Sequence, residues 1–257
     1  MEEKKFDELL VDIEKIVKDV CDKNMSVKTV KKSQTKKYPF PPFTTSTMQQ
    51  DASRKINFNT GKTMQIAQQL YEGVNLGGKL GTVGLITYMR TDSMRISPDA
   101  QREIVDYLQD KYGKEYVSPK QYKTKQGAQD AHEAIRPTMV TLHPSEIKDK
   151  LTGEQYKLYK LIWERFIASQ MANALLSTSS VDIEANGYVF KSSGYSVKFD
   201  GFTKLYEESA DNSEEGGALP KLSEGEKLTV MSLAGNQHFT QPPPRYNEAS
   251  LIKAMEE

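Results

Sequence analysis

Tyr88 and Arg90 stand two places apart in GLITYMRTDS (84–93), where an apolar run gives way to Thr91, Asp92 and Ser93. In an extended segment residues i and i+2 face one side, so phenol and guanidinium share it and Thr87 and Met89 take the other. An ordinary phenol, with a pKa of about 10, is a poor nucleophile at neutral pH. A cation within about 4–6 Å favours the phenolate. A guanidinium also grips phosphate oxygens through two parallel hydrogen bonds and offsets the charge that grows as phosphorus becomes five-coordinate. The pair suits attack on a phosphodiester to give a phosphotyrosine ester. In the other reading Tyr88 packs at a strand end and Arg90 extends into solvent. On spacing alone that is the commoner case, because tyrosine near arginine is common.

His132, in QDAHEAIRP, is a second candidate, able to bind a phosphate or move a proton; taken alone, capping a helix end or bridging Glu133 is the commoner role. Arg136 is held extended by Pro137 and is either a phosphate contact or a surface charge. Two glycine-rich stretches do not make phosphate loops. Gly73 to Lys79 has the GxxxxGK spacing, but Leu80 stands where a hydroxyl must hold magnesium, and Gly61-Lys62-Thr63 lacks the first glycine. The three histidines are scattered, the single cysteine offers no cluster, and position 136 is not the second histidine of an HExxH pair, so no metal site is expected.

The elements around these residues read as follows. Phe6, Leu9, Leu10, Ile13, Ile16, Val17 and Val20 recur at helical spacing, predicting an amphipathic helix over 5–22. MSVKTVKKSQTKKY suits an extended segment broken by YPFPP. Ser/Thr caps ahead of MQQDASRKI, and KTMQIAQQLYE ending at Gly73, predict two helices. VNLGGKLGTVG reads as a connector. Ser97-Pro98-Asp99 starts a helix to about Tyr112: hydroxyl cap, proline at the first position, acid at the positive dipole end. QGAQDAHEAIRPT reads as a loop or short helix, and 152–175 as a long helix holding Trp163 and Phe166. After Ser177 alternation sets in, with a hairpin signal at Asn186-Gly187. GEKLTVMSLAG reads as a further strand and TQPPPR as a hinge. A helical middle bracketed by strand-rich flanks suggests one domain inserted into another.

The 257 residues allow one large domain or two small ones. One cysteine excludes a disulfide framework and suits a reducing cytosol. No signal peptide or membrane-length apolar run occurs. The 35 basic and 35 acidic residues balance, against the basic excess common in nucleic-acid binders, but they segregate. Met25–Lys37 holds five lysines and no acid; Glu207–Glu226 holds seven acids and one lysine. The first faces either phosphates or solvent at a strand edge that resists aggregation; the second is expected to be a solvated loop. Both ends read as cuts, so a piece of a longer protein is expected.

Taken together, PPFTTSTMQQDAS (41–53), MQIAQQLYEG with GLITYMRTDS, AQDAHEAIRPT (128–138) and HFTQPPPRYNEASLIKAMEE (238–257) resemble, in order, the core of bacterial DNA topoisomerase I, a type IA enzyme. The resemblance implies an α+β fold in which a helical gate domain, 45–172, carries the nucleophilic tyrosine and is inserted into a strand-rich arch, 1–44 and 173–241, with 242–257 beginning the next DNA-binding domain. It implies that Tyr88 takes the 5′-phosphate of one DNA strand, that Arg90 contacts the scissile phosphate, and that His132 helps hold DNA. Arg245 is a weaker contact candidate beside Arg136. The implied function is relaxation of negatively supercoiled DNA by transient single-strand cleavage and strand passage without ATP, in the cytoplasm at the nucleoid. The family's acidic Toprim run and its C-terminal DNA-binding tail have no counterpart here. Mg2+ is therefore expected to belong to the intact enzyme and not to these residues, which are expected to be inactive alone. Implied partners are single-stranded and supercoiled DNA and the remaining domains. The competing reading is a non-catalytic single-strand-binding or scaffold module. A tyrosine recombinase is disfavoured, because His132 and Arg136 lack that family's Arg-His-Arg spacing.

Overall fold

A computed structural model describes residues 13–20, 24–122, 132–206, 217–236 and 238–256. The chain separates into two compact units, one from 1–36, 175–198 and 214–243, the other from 37–174, 199–213 and 244–257. Residues 199–213 and 244–257, read above as arch and as the start of a following domain, are grouped with the helical middle.

The first unit is built on an antiparallel sheet. Strands β1 (Met25–Lys37), β4 (Ala174–Ala185), β5 (Tyr188–Phe199) and β6 (Lys227–Leu228) lie in the order β5-β4-β1-β6. The expected Asn186-Gly187 turn joins β4 to β5, with φ of 49° and 83°, the left-handed values a tight two-residue hairpin needs. Of the predicted strand GEKLTVMSLAG only Lys227 and Leu228 pair, with Ser26 and Met25; Thr229 onward leaves the ladder, and Met231 is almost wholly exposed. The helix predicted over 5–22 is seen in residues 13–20; the rest of it lies outside the described residues.

The second unit is helical: α1 (Thr45–Ile56), α2 (Thr60–Glu72), α3 (Pro98–Lys111), α4 (Gly153–Ser169) and α5 (Glu248–Glu256). Its starts are where hydroxyl and amide caps place them. Ser97 accepts from the Ala100 amide, and Thr152 and Gln155 form a reciprocal capping box. Helix α4 is the core's axis, with Leu158, Tyr159, Ile162, Trp163, Phe166 and Ile167 fully buried. Each large apolar side chain removed from water contributes about 1.5–3 kcal/mol, so these residues are a substantial part of the unit's stabilisation.

Two expectations fail for identifiable reasons. The helix predicted to reach 175 ends at Ser169. Beyond it the backbone finds other partners: Ala172 N–H donates to Tyr116 O at 2.8 Å and Gln170 O accepts from Ser118 at 3.1 Å. The apolar residues 174–176 that seemed to continue the helical period belong to β4. The glycine-rich connector is a hairpin of β2 (Val74–Gly77) and β3 (Gly81–Val83), in which Val74 pairs with Val83. Its strands are too short for alternation to show. Among the described residues no helix is long and apolar enough to cross a membrane.

Candidate active site

The stretch before Tyr88 is laced to residues 134–138. Leu85 N–H donates to Leu70 O at 2.7 Å, Thr138 N–H to Leu85 O at 3.0 Å, and Thr87 N–H to Arg136 O at 2.9 Å; Thr87 Oγ1 donates to Ala134 O at 2.7 Å. Ile86 bridges Pro137, and Phe43 bridges Ile135. Residues 132–137 are therefore extended, not helical; 123–131 lie outside the described residues. The stretch after Tyr88 is fastened to the first turn of α1 through Thr45 and Thr91. Leu85, Ile86 and Met89 are fully buried, and Tyr88 is half-buried between the two lacings.

The Tyr88 ring lies edge-on to Tyr71 at the end of α2, with centroids 5.4 Å apart at 68°. On the other side His132 tilts against it at 5.0 Å and 33°. Tyr88, Arg90 and His132 line one cleft of about 780 Å3, together with Thr45, Ser46, Gln49, Met64, Thr91, Asp92 and Glu256. The i, i+2 expectation thus matches the geometry: Tyr88 and Arg90 share the cleft, while Met89 is turned into the core. Thr45 and Ser46 come from the first turn of α1 and Gln49 from the second, so the positive end of that helix's dipole adjoins the cleft. Formal charge is less favourable: Arg90 meets two carboxylates, Asp92 and Glu256. A second cleft, of about 730 Å3, is lined by Glu103, Asp106, Asp110 and Glu146 and is unsuited to a polyanion.

A model of the DNA topoisomerase family matches residues 2–257. The chain belongs to that family. It matches part of a bacterial type IA topoisomerase, as the resemblance implied. A structure of full-length topoisomerase I from Thermotoga maritima is similar, with a TM-score of 0.82 and 38% identity; the match covers 95% of this chain and 39% of that one. The α+β fold expected from the sequence is the one found.

Within this topoisomerase fold the other sequence candidates are placed differently. Arg136 is not among the residues lining the Tyr88 cleft. Its Nε donates to Glu133 at 2.8 Å, its Nη2 lies 2.7 Å from the same carboxylate, and its Nη1 donates to Pro137 O at 3.0 Å. Burial raises the Glu133 pKa, but Arg136, with Ser97 and Arg95, outweighs it and holds the carboxyl below its usual range. The proline-held guanidinium is thus engaged with Glu133 and its own segment. Arg245 is exposed and is likewise not among the cleft-lining residues. His143 caps the short helical turn at Pro144–Glu146 and packs edge-on against Trp163 at 4.7 Å. Thr45, Ser46, Gln49 and Met64 were not singled out by spacing. The one signal was TTST, which holds more hydroxyls than a cap requires.

Proposed function

We propose that Tyr88 is the nucleophile of a reversible DNA strand break and that the intact protein relaxes negatively supercoiled DNA by passing a strand through it. Tyr88 Oη bonds to phosphorus as the P–O3′ bond breaks. The phenol loses its proton and the departing 3′-oxygen gains one, leaving a 5′-phosphotyrosine. Attack by the same 3′-hydroxyl reverses each change, so the bond energy is kept and ATP is not consumed. Arg90 grips the scissile phosphate and offsets its growing charge. The His132 imidazole, tilted against the phenol, supports the ring and adds a hydrogen-bonding group for the DNA backbone. The observation that carries this reading is the meeting of Tyr88 and Arg90 with His132, from a second segment, on one open cleft.

Among the described residues no three His, Cys, Asp or Glu side chains gather as a metal would need. No step is routed through Mg2+ here. Arg90 faces Asp92 and Glu256 in the cleft, so a phosphodiester needs positive charge from the rest of the enzyme. The partners are therefore single-stranded and supercoiled DNA, met at the nucleoid in the cytoplasm, and the Toprim and DNA-binding domains of the whole protein. A labelled single-stranded oligonucleotide, incubated with these residues and the Toprim domain and then denatured, should leave label on the protein. No label, or label retained by Tyr88→Phe, would count against the reading.

A further inference from the structure

The hydroxyl run Thr44–Thr47 exceeds what α1 needs in order to start. Thr44 accepts from the Thr47 amide, and Thr47 Oγ1 accepts from the Thr44 amide at 2.9 Å, so the capping box is complete without Thr45. Thr45 instead turns to the segment after Tyr88. Its Oγ1 accepts the Thr91 N–H at 2.9 Å and lies 2.8 Å from Met89 O and 3.1 Å from Thr91 O, one of which takes its proton. Its own amide donates to Thr91 O at 2.9 Å. The Met89 side chain is fully buried. Arg90 sits between these fastened neighbours, with its side chain exposed at the cleft.

We infer that Thr45 is a positioning residue for the strand break, fixing the backbone on both sides of Arg90 so that the guanidinium is aimed at the phosphate Tyr88 attacks. The inference rests on the phosphotyrosine reading. A long flexible side chain reaches one point in space reproducibly only if its backbone is held, and the two-pronged grip of arginine on phosphate is intolerant of misdirection. Valine matches the outline of threonine but leaves the Thr91 N–H and the Met89 carbonyl without their hydroxyl partner. Serine keeps the hydroxyl.

The test uses the intact enzyme, Toprim domain included, carrying Thr45→Val or Thr45→Ser and measures Thr91 amide exchange, affinity for a single-stranded oligonucleotide, and the rate of covalent adduct formation. Thr45→Val should speed Thr91 exchange about tenfold or more, as expected when an amide loses its acceptor locally. Its oligonucleotide affinity should stay within roughly twofold while the adduct rate falls about 10- to 100-fold, the scale set by displacements of about 1 Å at a reacting centre. Thr45→Ser should restore both readings to within roughly threefold, since it restores the same hydrogen bonds. A Thr45→Val adduct rate equal to wild type would overturn the Thr45 role alone. So would affinity falling in step with the adduct rate, or no rescue by serine. A wild-type chain that forms no adduct would overturn the phosphotyrosine reading and this inference with it.

Discussion

Arg90 separates the chemical role of the site from its folding role most cleanly, because it is exposed while its neighbour Met89 is buried. Arg90→Ala should lower the cleavage rate of the intact enzyme about 100- to 1,000-fold, the scale of removing one preorganised charge-stabilising donor, with little change in melting temperature. Arg90→Lys should recover only part of it, because an ammonium cannot fork two bonds to one phosphate; equal recovery in a single-turnover cleavage assay would contradict the bidentate role. Lys120 offers a test unrelated to DNA. Burial pulls its ammonium down from the ordinary 10.5 to about 8. Between those values the unfolded chain binds more protons than the folded one, so this group makes stability rise with pH across that window. Urea melts from pH 7 to 10 should show the wild type gaining on Lys120→Met above pH 8; a constant difference would contradict it. At this scale the Tyr88–Arg90 pair was legible, since i and i+2 share a side in any extended backbone. His132 was not legible by spacing, because its approach to Tyr88 depends on residues 134–138 lying along 84–87. The Arg136–Glu133 ion pair was not legible, because nothing in the sequence announces which charge a proline-held guanidinium will meet.

Helices and turns set the stage, and two contacts decide whether they hold it. Gly84 packs so tightly against α2 that a Cβ there would lie 2.5 Å from the Tyr71 carbonyl oxygen. Gly84→Ala should destabilise by about 1–3 kcal/mol, the usual cost of forcing atoms into filled space. It should also displace the stretch that leads to Tyr88; a calorimetric melt and an adduct assay together check this. Helix α1 is tied to α4 by a buried ion pair, Arg165 Nη1 to Asp51 at 3.3 Å, with side chains only 7% and 16% exposed. Tyr206 Oη donates to the same carboxylate, and Arg165 Nε to Pro41 O at 2.7 Å. Asp51→Ala leaves the guanidinium without its counter-charge and should cost about 3–5 kcal/mol; a loss below 1 kcal/mol in urea titration would show that solvent replaces it. Caps made two helix starts readable: Ser97 before Pro98, and the Ser/Thr run that opens α1. Ends were harder. Nothing local distinguishes Ser169 from Ala174 as a stopping point, since the decision lies with Tyr116 and Ser118, some fifty residues earlier in the chain.

The whole molecule balances its charge, yet the cleft around Tyr88 offers Arg90 against Asp92 and Glu256. A phosphodiester brings a further negative charge, so productive binding requires cations from outside these residues. The match to the Thermotoga maritima enzyme covers 39% of that chain, which leaves room for them. These 257 residues alone should therefore leave supercoiled plasmid unchanged in the presence of Mg2+; nicking or relaxation that Tyr88→Phe abolishes would show the cleft to be self-sufficient. The change from helical period to alternation was visible in the sequence after Ser177, inside β4. Contacts such as Glu248 accepting from the Thr60 amide at 2.9 Å were not, because they join segments 188 residues apart.

The most direct measurement is covalent capture mapped to the residue. After incubation with the Toprim domain, Mg2+ and an end-labelled oligonucleotide, the denatured protein should be digested and the labelled peptide sequenced. The expected result is a nucleotide esterified to Tyr88 and lost in Tyr88→Phe. Label on any other residue, or label unaffected by that substitution, would contradict it.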